Sequence, residues 1–125
     1  MGAGRQSRTV WVVSGEQGER ACLRAELIER GYRAVGFPSL APALYLLTGR
    51  PSVRPDAVAV DLTGVDPEGP EMTSLISSRV PLIGIVGALE AKPFKKQEEK
   101  FAALLRRPVA IGEIVQAVET VSRED

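Results

Sequence analysis

Pro55-Asp56-Ala57-Val58-Ala59-Val60-Asp61-Leu62 decides the fold. The run Ala57 to Leu62 is apolar on consecutive positions, without the in-out alternation of a strand that has one wet face, and its bounding residues are turn formers. A strand of this kind is covered by helices on both sides, which is the environment of a central strand in a parallel sheet. Its one charged residue near the end, Asp61, then stands at the carboxyl edge of the sheet, where open parallel sheets place ligands and chemistry. Asp56 begins the run. Five strand residues at about 3.3 Å each put it near the opposite edge, away from Asp61.

Working outward, four further runs read as strands: Thr9 to Val13, Arg33 to Phe37, Leu82 to Val86 and Ala102 to Arg106. The first and the Leu82 run lack alternation, like the Ala57 run, so these three are the central strands and Trp11 belongs to the core. Arg33 to Phe37 alternates and stops at Pro38, and Ala102 to Arg106 ends in charge, so both belong to the periphery. Segments with helical spacing separate the runs, and this alternation implies βα units wound around a parallel sheet of order 2-1-3-4-5.

The helices have legible ends. Ser14 followed by Gln17 matches a capping box, Gly31 supplies a stop, and Leu23, Leu27 and Ile28 give the first helix a buried stripe, with Cys22 beside it as a small buried hydrophobe. The second runs from a Ser39 cap through Leu40, Ala43, Leu44 and Leu47 to Gly49, with Pro42 in its first turn. A third starts near Pro70 and buries Met72, Leu75 and Ile76. Ile111, Ile114, Val115, Val118 and Val121 form one stripe on the last. The fourth has little periodic support: Pro93 interrupts it, Phe94 and Phe101 are its large apolar residues, and Lys92, Lys95, Lys96, Gln97, Glu98, Glu99 and Lys100 read as a solvated face.

Composition bounds the function. The 125 residues fit one α/β domain over 9–122, between an expected flexible tail, 1–8, and a short tail or linker start, 123–125. Lys plus Arg number 16 and Asp plus Glu 16, which removes the electrostatic attraction on which nucleic-acid binding rests. Histidine is absent and Cys22 is the single cysteine, so neither a zinc cluster nor an intrachain disulfide is available, in keeping with a cytoplasmic protein. Val80 to Leu89 is about half the length of a membrane span and carries Pro81, Gly84 and Gly87, so no membrane insertion is expected. The start, Met1 to Arg8, lacks the apolar core of a signal peptide.

Over roughly Thr9 to Ser122 the chain resembles the receiver domain of bacterial two-component response regulators, a flavodoxin-like three-layer α/β/α fold. Val12-Val13 with Leu23, Leu27 and Gly31-Tyr32 is similar to that family's first strand and helix. Pro55 to Leu62 resembles the third strand, whose final Asp accepts a phosphoryl group. Gly69 falls where the family has a glycine before its third helix. Val80 to Val86 is similar to the fourth strand, and Arg107-Pro108 stands where the family has Lys-Pro, with a cis peptide as its counterpart implies.

Carried over residue by residue, the resemblance implies a degenerate site. The two acidic positions that hold Mg²⁺ are Ser14 and Gly15, the hydroxyl at the end of the fourth strand is Val86, the lysine is Arg107, and the aromatic reporter is Leu104, with Phe101 close enough in sequence to occupy related space. Asp61 alone is unchanged. Phosphoryl transfer depends on positioning and charge neutralisation, so the expectation is a pseudo-receiver: no enzyme, weak or absent Mg²⁺ binding, no other cofactor, and action through protein partners. An Arg107–Asp61 ion pair is expected in place of the reversible phosphoryl contact. Ser14 is read as a helix cap, Glu16 as a solvated residue of the first helical turn, and Asp66 and Glu68 as facing water. The family's habit of docking or forming homodimers through the fourth helix, fifth strand and fifth helix implies an interaction face over Phe94 to Ser122, with Phe94, Phe101, Leu104, Arg106 and Pro108 as its candidates. The alternatives are a working receiver phosphorylated at Asp61 and, last, a small-ligand or nucleotide sensor using the Ser14 to Gly18 turn.

Overall fold

The computed structural model describes residues 8–50 and 52–122; the tails expected over 1–7 and 123–125 lie outside the described residues. Five parallel strands, β1 (Thr9–Val13), β2 (Arg33–Phe37), β3 (Ala57–Asp61), β4 (Leu82–Val86) and β5 (Ala103–Arg106), form one sheet of order β2-β1-β3-β4-β5. Between them run α1 (Gln17–Glu29), α2 (Leu40–Gly49) and α3 (Pro70–Ser77), a 3-10 segment (Lys92–Lys100) precedes β5, and α4 (Ile111–Ser122) closes the chain. The expected order and strands hold, with Leu62 and Ala102 just outside the strands. Arg8 is tied to the sheet, its carbonyl accepting from the Arg33 N–H at 2.8 Å.

Alternate strand residues feed two cores. Val10, Val12, Ala57, Ala59, Ile83 and Ile85 pack with Leu23, Leu27, Ile114, Val115 and Val118 of α1 and α4. On the other face Trp11, Val13, Val58, Val60, Leu82 and Val86 meet α2, α3 and the two phenylalanines of the β4–β5 connection. Trp11 and Phe37 anchor that face with ring centroids 4.8 Å apart and tilted by 56°, a geometry that aromatic quadrupoles favour. Burial on both sides explains why the central strands read as unbroken apolar runs.

Four expectations need correction. The N-cap of α1 is Glu16, whose Oε1 accepts from the Glu19 N–H at 2.7 Å; Ser14 lies outside the helix, its backbone N–H already given to the Phe37 carbonyl. Ile28 is 52% exposed, because the stripe that reaches the core is Leu23 and Leu27 and the next turn ends at Gly31, whose φ of 95° reverses the chain. Cys22 is exposed on the outer side of α1 rather than buried. The fourth helix is a 3-10 segment, in which Phe94 alone is fully buried, as its sparse apolar content and Pro93 dictate. Ser39 is the N-cap residue of α2, without a side-chain cap bond.

The 3-10 segment is held by its aromatic ends. The Phe101 ring and Leu104 lie over Gly84 of β4 so closely that a β-carbon there would sit 2.8 Å from Leu104 Cδ1 and Phe101 Cε1. Gly84→Ala is therefore expected to destabilise the fold by about 1–3 kcal/mol through overpacking, read as a lowered urea midpoint with unchanged slope; an unchanged midpoint would show that the Phe101 ring gives way freely.

Candidate functional site

The carboxyl ends of β1 and β3 and the loop after β5 converge on a crevice of about 720 Å³, lined among others by Ser14, Gly15, Glu16, Glu19, Asp61, Thr63, Glu71 and Arg107. Topology places it there. The order changes direction at β1, so the chain leaves β1 and β3 toward opposite sides and opens a gap between them.

Asp61 ends β3 with its side chain 13% exposed. One carboxylate oxygen accepts from the Thr63 N–H at 3.0 Å and the Thr63 hydroxyl at 2.8 Å, an Asx-type turn closed by its own loop. The other lies 3.6 Å from Arg107 Nη2. The expected Arg107–Asp61 pair is present, but Arg107 has a nearer partner. Its Nη2 donates to Glu19 Oε1 at 2.8 Å, and the Glu19 side chain is 12% exposed. Glu19 Oε1 also accepts from the Ser14 hydroxyl at 3.1 Å.

Arg107 thus ties the loop after β5 to α1 and β3 together. The hydrogen bond to Glu19 raises its pKa above the ordinary arginine value, burial opposes this, and the charges of Glu19, Asp61 and Glu16 add to the rise. Its backbone is fixed too, the Arg107 N–H donating to the Val86 carbonyl at 2.8 Å and the bond to Pro108 being cis as expected.

The other expected site residues fall as follows. Ser14 is buried and Gly15 exposed at the crevice. Ser14 bridges Glu19 and the Glu16 N–H, which it accepts at 3.2 Å. Val86 is buried and presents no hydroxyl to the Asp61 crevice; it lines, with Ala88, Ala91, Lys92, Lys95, Glu98, Leu104 and Arg106, a separate hollow of about 450 Å³. Phe94 and Phe101 are buried and serve as core, so the surface of the Phe94 to Ser122 face is offered instead by residues such as Lys95, Glu98, Arg106 and Pro108, all exposed. Asp56 is remote from the crevice and accepts from the Thr9 N–H at 2.7 Å. Asp66 and Glu68 are exposed, Asp66 Oδ1 accepting from the Glu68 N–H.

Two residues escaped sequence reasoning, Glu19 and Thr63. Glu19 was legible only as the helical neighbour of Glu16, three residues on, and Thr63 only as the hydroxyl two residues after an Asp. The donor set does not fit Mg²⁺. That ion takes carboxylate and water oxygens in an octahedron, whereas here Glu19 Oε1 is taken by the Arg107 guanidinium and the Ser14 hydroxyl, and Asp61 Oδ1 by Thr63. Among the described residues no three acidic, His or Cys side chains are grouped to hold a metal.

No protein-family model and no curated protein matches the sequence. Solved structures do match in fold. A response regulator receiver protein from Burkholderia phymatum superposes with a TM-score of 0.75 at 24% identity, over 94% of this chain and 96% of that one. The signal receiver domain of a modulated diguanylate cyclase from Desulfovibrio desulfuricans gives 0.74 at 23%, over 95% and 96%. A receiver domain from Methylobacillus flagellatus gives 0.69 at 18%, over 93% and 99%. The chain has the flavodoxin-like receiver fold from end to end of its described part.

The triad makes a testable stability element. Arg107→Gln leaves Glu19 and Asp61 without their shared cation and is expected to cost about 1–2 kcal/mol at neutral pH, a charge-assisted contact discounted for partial exposure. Because the folded arginine titrates above the unfolded one, its contribution is fully present below the unfolded value and is lost only in strong alkali. The loss in urea midpoint is therefore the same at pH 7 and pH 9; a difference that disappears between these values would assign the effect to another group.

Proposed function

We propose that the protein is an atypical receiver that acts in bacterial signal transduction without phosphorylation, as a cytoplasmic protein-interaction module and not an enzyme. One observation carries this reading: the carboxylate at the phosphoacceptor position, Asp61, is already engaged by Thr63 and by Arg107, and Arg107 is itself bound to Glu19. A receiver needs an incoming charge to rearrange this crevice. Here a resident guanidinium supplies positive charge beside Asp61, and Ser14 and Gly15 replace the acidic pair that would hold a divalent cation.

The absence of a hydroxyl at Val86 points the same way. A phosphoryl group on Asp61 would carry about two negative charges into a crevice already holding Glu16, Glu19 and Glu71, with Arg107 shared. Partner proteins are proposed to dock on the β5 side, over the exposed residues of 92–108 and the outer face of α4. The surface of that side is basic at Lys92, Lys95 and Arg106, with Glu98 among them.

A second reading keeps Asp61 as a phosphoacceptor in a phosphorelay. It is favoured by the position of Asp61, at the carboxyl end of β3 with its side chain lining the crevice. The two readings separate in one experiment. Incubated with acetyl phosphate and Mg²⁺, the protein is expected to gain no phosphate-sized mass. A hydroxylamine-labile adduct that Asp61→Asn abolishes would establish the second reading.

A further inference from the structure

α2 is a surface helix with no charged residue: Leu40-Ala41-Pro42-Ala43-Leu44-Tyr45-Leu46-Leu47-Thr48-Gly49. Leu40, Ala43 and Leu47 face the core. The opposite face carries Ala41, Tyr45 and Thr48, all exposed, and Tyr45 is 77% exposed. A solvated helix face is ordinarily charged. An uncharged face around a protruding tyrosine is instead what an interface centre shows, where tyrosine is enriched and Lys, Asp and Glu are depleted.

The charges missing from α2 stand beyond its ends, with opposite sign. At the amino end, Ser39 and Leu40 share the crevice wall with Glu16 and Glu71, both exposed. Beyond the carboxyl end come Arg50 and Arg54. Among the described residues Arg50 and Glu71 make no ion pair, and Arg54 donates to the Ser78 carbonyl at 2.6 Å.

We propose that the chain pairs with a second copy of itself through α2, the two helices antiparallel and crossing at Tyr45. Tyr45 lies at the middle of the ten-residue helix, so a two-fold axis beside it brings the two tyrosines together. The helix is about 15 Å long, and antiparallel pairing carries Arg50 of each copy to the acidic amino end of the other. A parallel pairing would oppose Arg50 to Arg50 and Glu71 to Glu71. The self-complementary pattern is what a closed two-fold contact requires, and the balanced net charge of the chain agrees with it. The surface is one short helix, so the dimer is weak. Because β2 and β5 are opposite edges of the sheet, and α2 follows β2, the dimer leaves the β5 side free. The inference does not rest on the receiver reading.

Sedimentation velocity of the full chain at rising concentration tests it. The expected result is a monomer–dimer equilibrium that added salt weakens and that Tyr45→Glu weakens about tenfold or more, with an unchanged thermal melt. Arg50→Glu weakens association, and adding Glu71→Arg to the same chain restores it. In a Cys22→Ser background, Tyr45→Cys is expected to cross-link to dimer under mild oxidation much faster than Ala102→Cys, an exposed control at the β5 side. A monomer at every concentration, dimerisation indifferent to Tyr45→Glu, or equal cross-linking of the two cysteines would each overturn the proposal. Capture of the monomer by anionic vesicles through Tyr45 would overturn it too, by assigning the face to a lipid surface.

Discussion

The structure depends on the two-sided burial of β1, β3 and β4. Each alternate residue of these strands needs an apolar partner from above or below, so helices must return over both faces and every strand must run the same way. All strand carboxyl ends then meet at one edge of the sheet. Asp61, Ser14 and Arg107 are far apart in sequence, and this topology alone brings them to one crevice. The hydrophobic effect therefore decides where the chemistry sits, although none of the polar residues contributes to that driving force.

Within that crevice the governing problem is electrostatic. Glu19 and Asp61 are both mostly shielded from water and of like charge, so a cation is needed between them to offset their repulsion. A divalent cation is one solution. This chain has another, the Arg107 guanidinium, whose Nη2 lies 2.8 Å from Glu19 Oε1 and 3.6 Å from Asp61 Oδ2, delivered by a loop whose backbone is anchored to Val86. A covalently tethered cation cannot diffuse away. The arrangement links α1, β3 and the loop after β5 as one unit.

The fold was legible because its signal is redundant: five strands, three of them unbroken apolar runs, separated by stripes at helical spacing, leave few topologies that bury everything. The site was legible in part. Asp61 and Arg107 stand next to recognisable strand ends, so their meeting followed from register. Glu19 did not, since a Glu in the first turn of a helix is the commonest of surface residues, and only the side-chain rotamer decides that it turns toward the crevice. The same limit misled the reading of Ser14. Its spacing to Gln17 fits a cap, but the strand claims its backbone N–H and the helix begins two residues later at a competing acceptor, Glu16. Ile28 and Cys22 failed for a related reason. Of the 13 residues of α1 only Leu23 and Leu27, one row along the helix, are buried in the core, a narrower stripe than the apolar spacing implied.

The two edges of the sheet are treated differently, and this shapes what the surface can do. At the β2 edge Arg24 Nε donates to the Ala34 carbonyl at 3.1 Å, and the aliphatic stems of Arg20 and Arg24 crowd Gly36, so an open strand edge is covered from α1. Such covering prevents strand-to-strand association there, and any contact on this side has to be made by a helix. At the β5 edge no strand residue is fully buried, and the neighbouring 3-10 segment contributes Lys92, Lys95 and Lys96 to solvent. Long hydrated cations keep apolar neighbours from settling on a surface unless a partner brings opposite charge, so this edge selects by electrostatics. The α2 face is itself uncharged and has its charges beyond its two ends, with opposite sign, which makes the two sides suited to different kinds of neighbour at the same time.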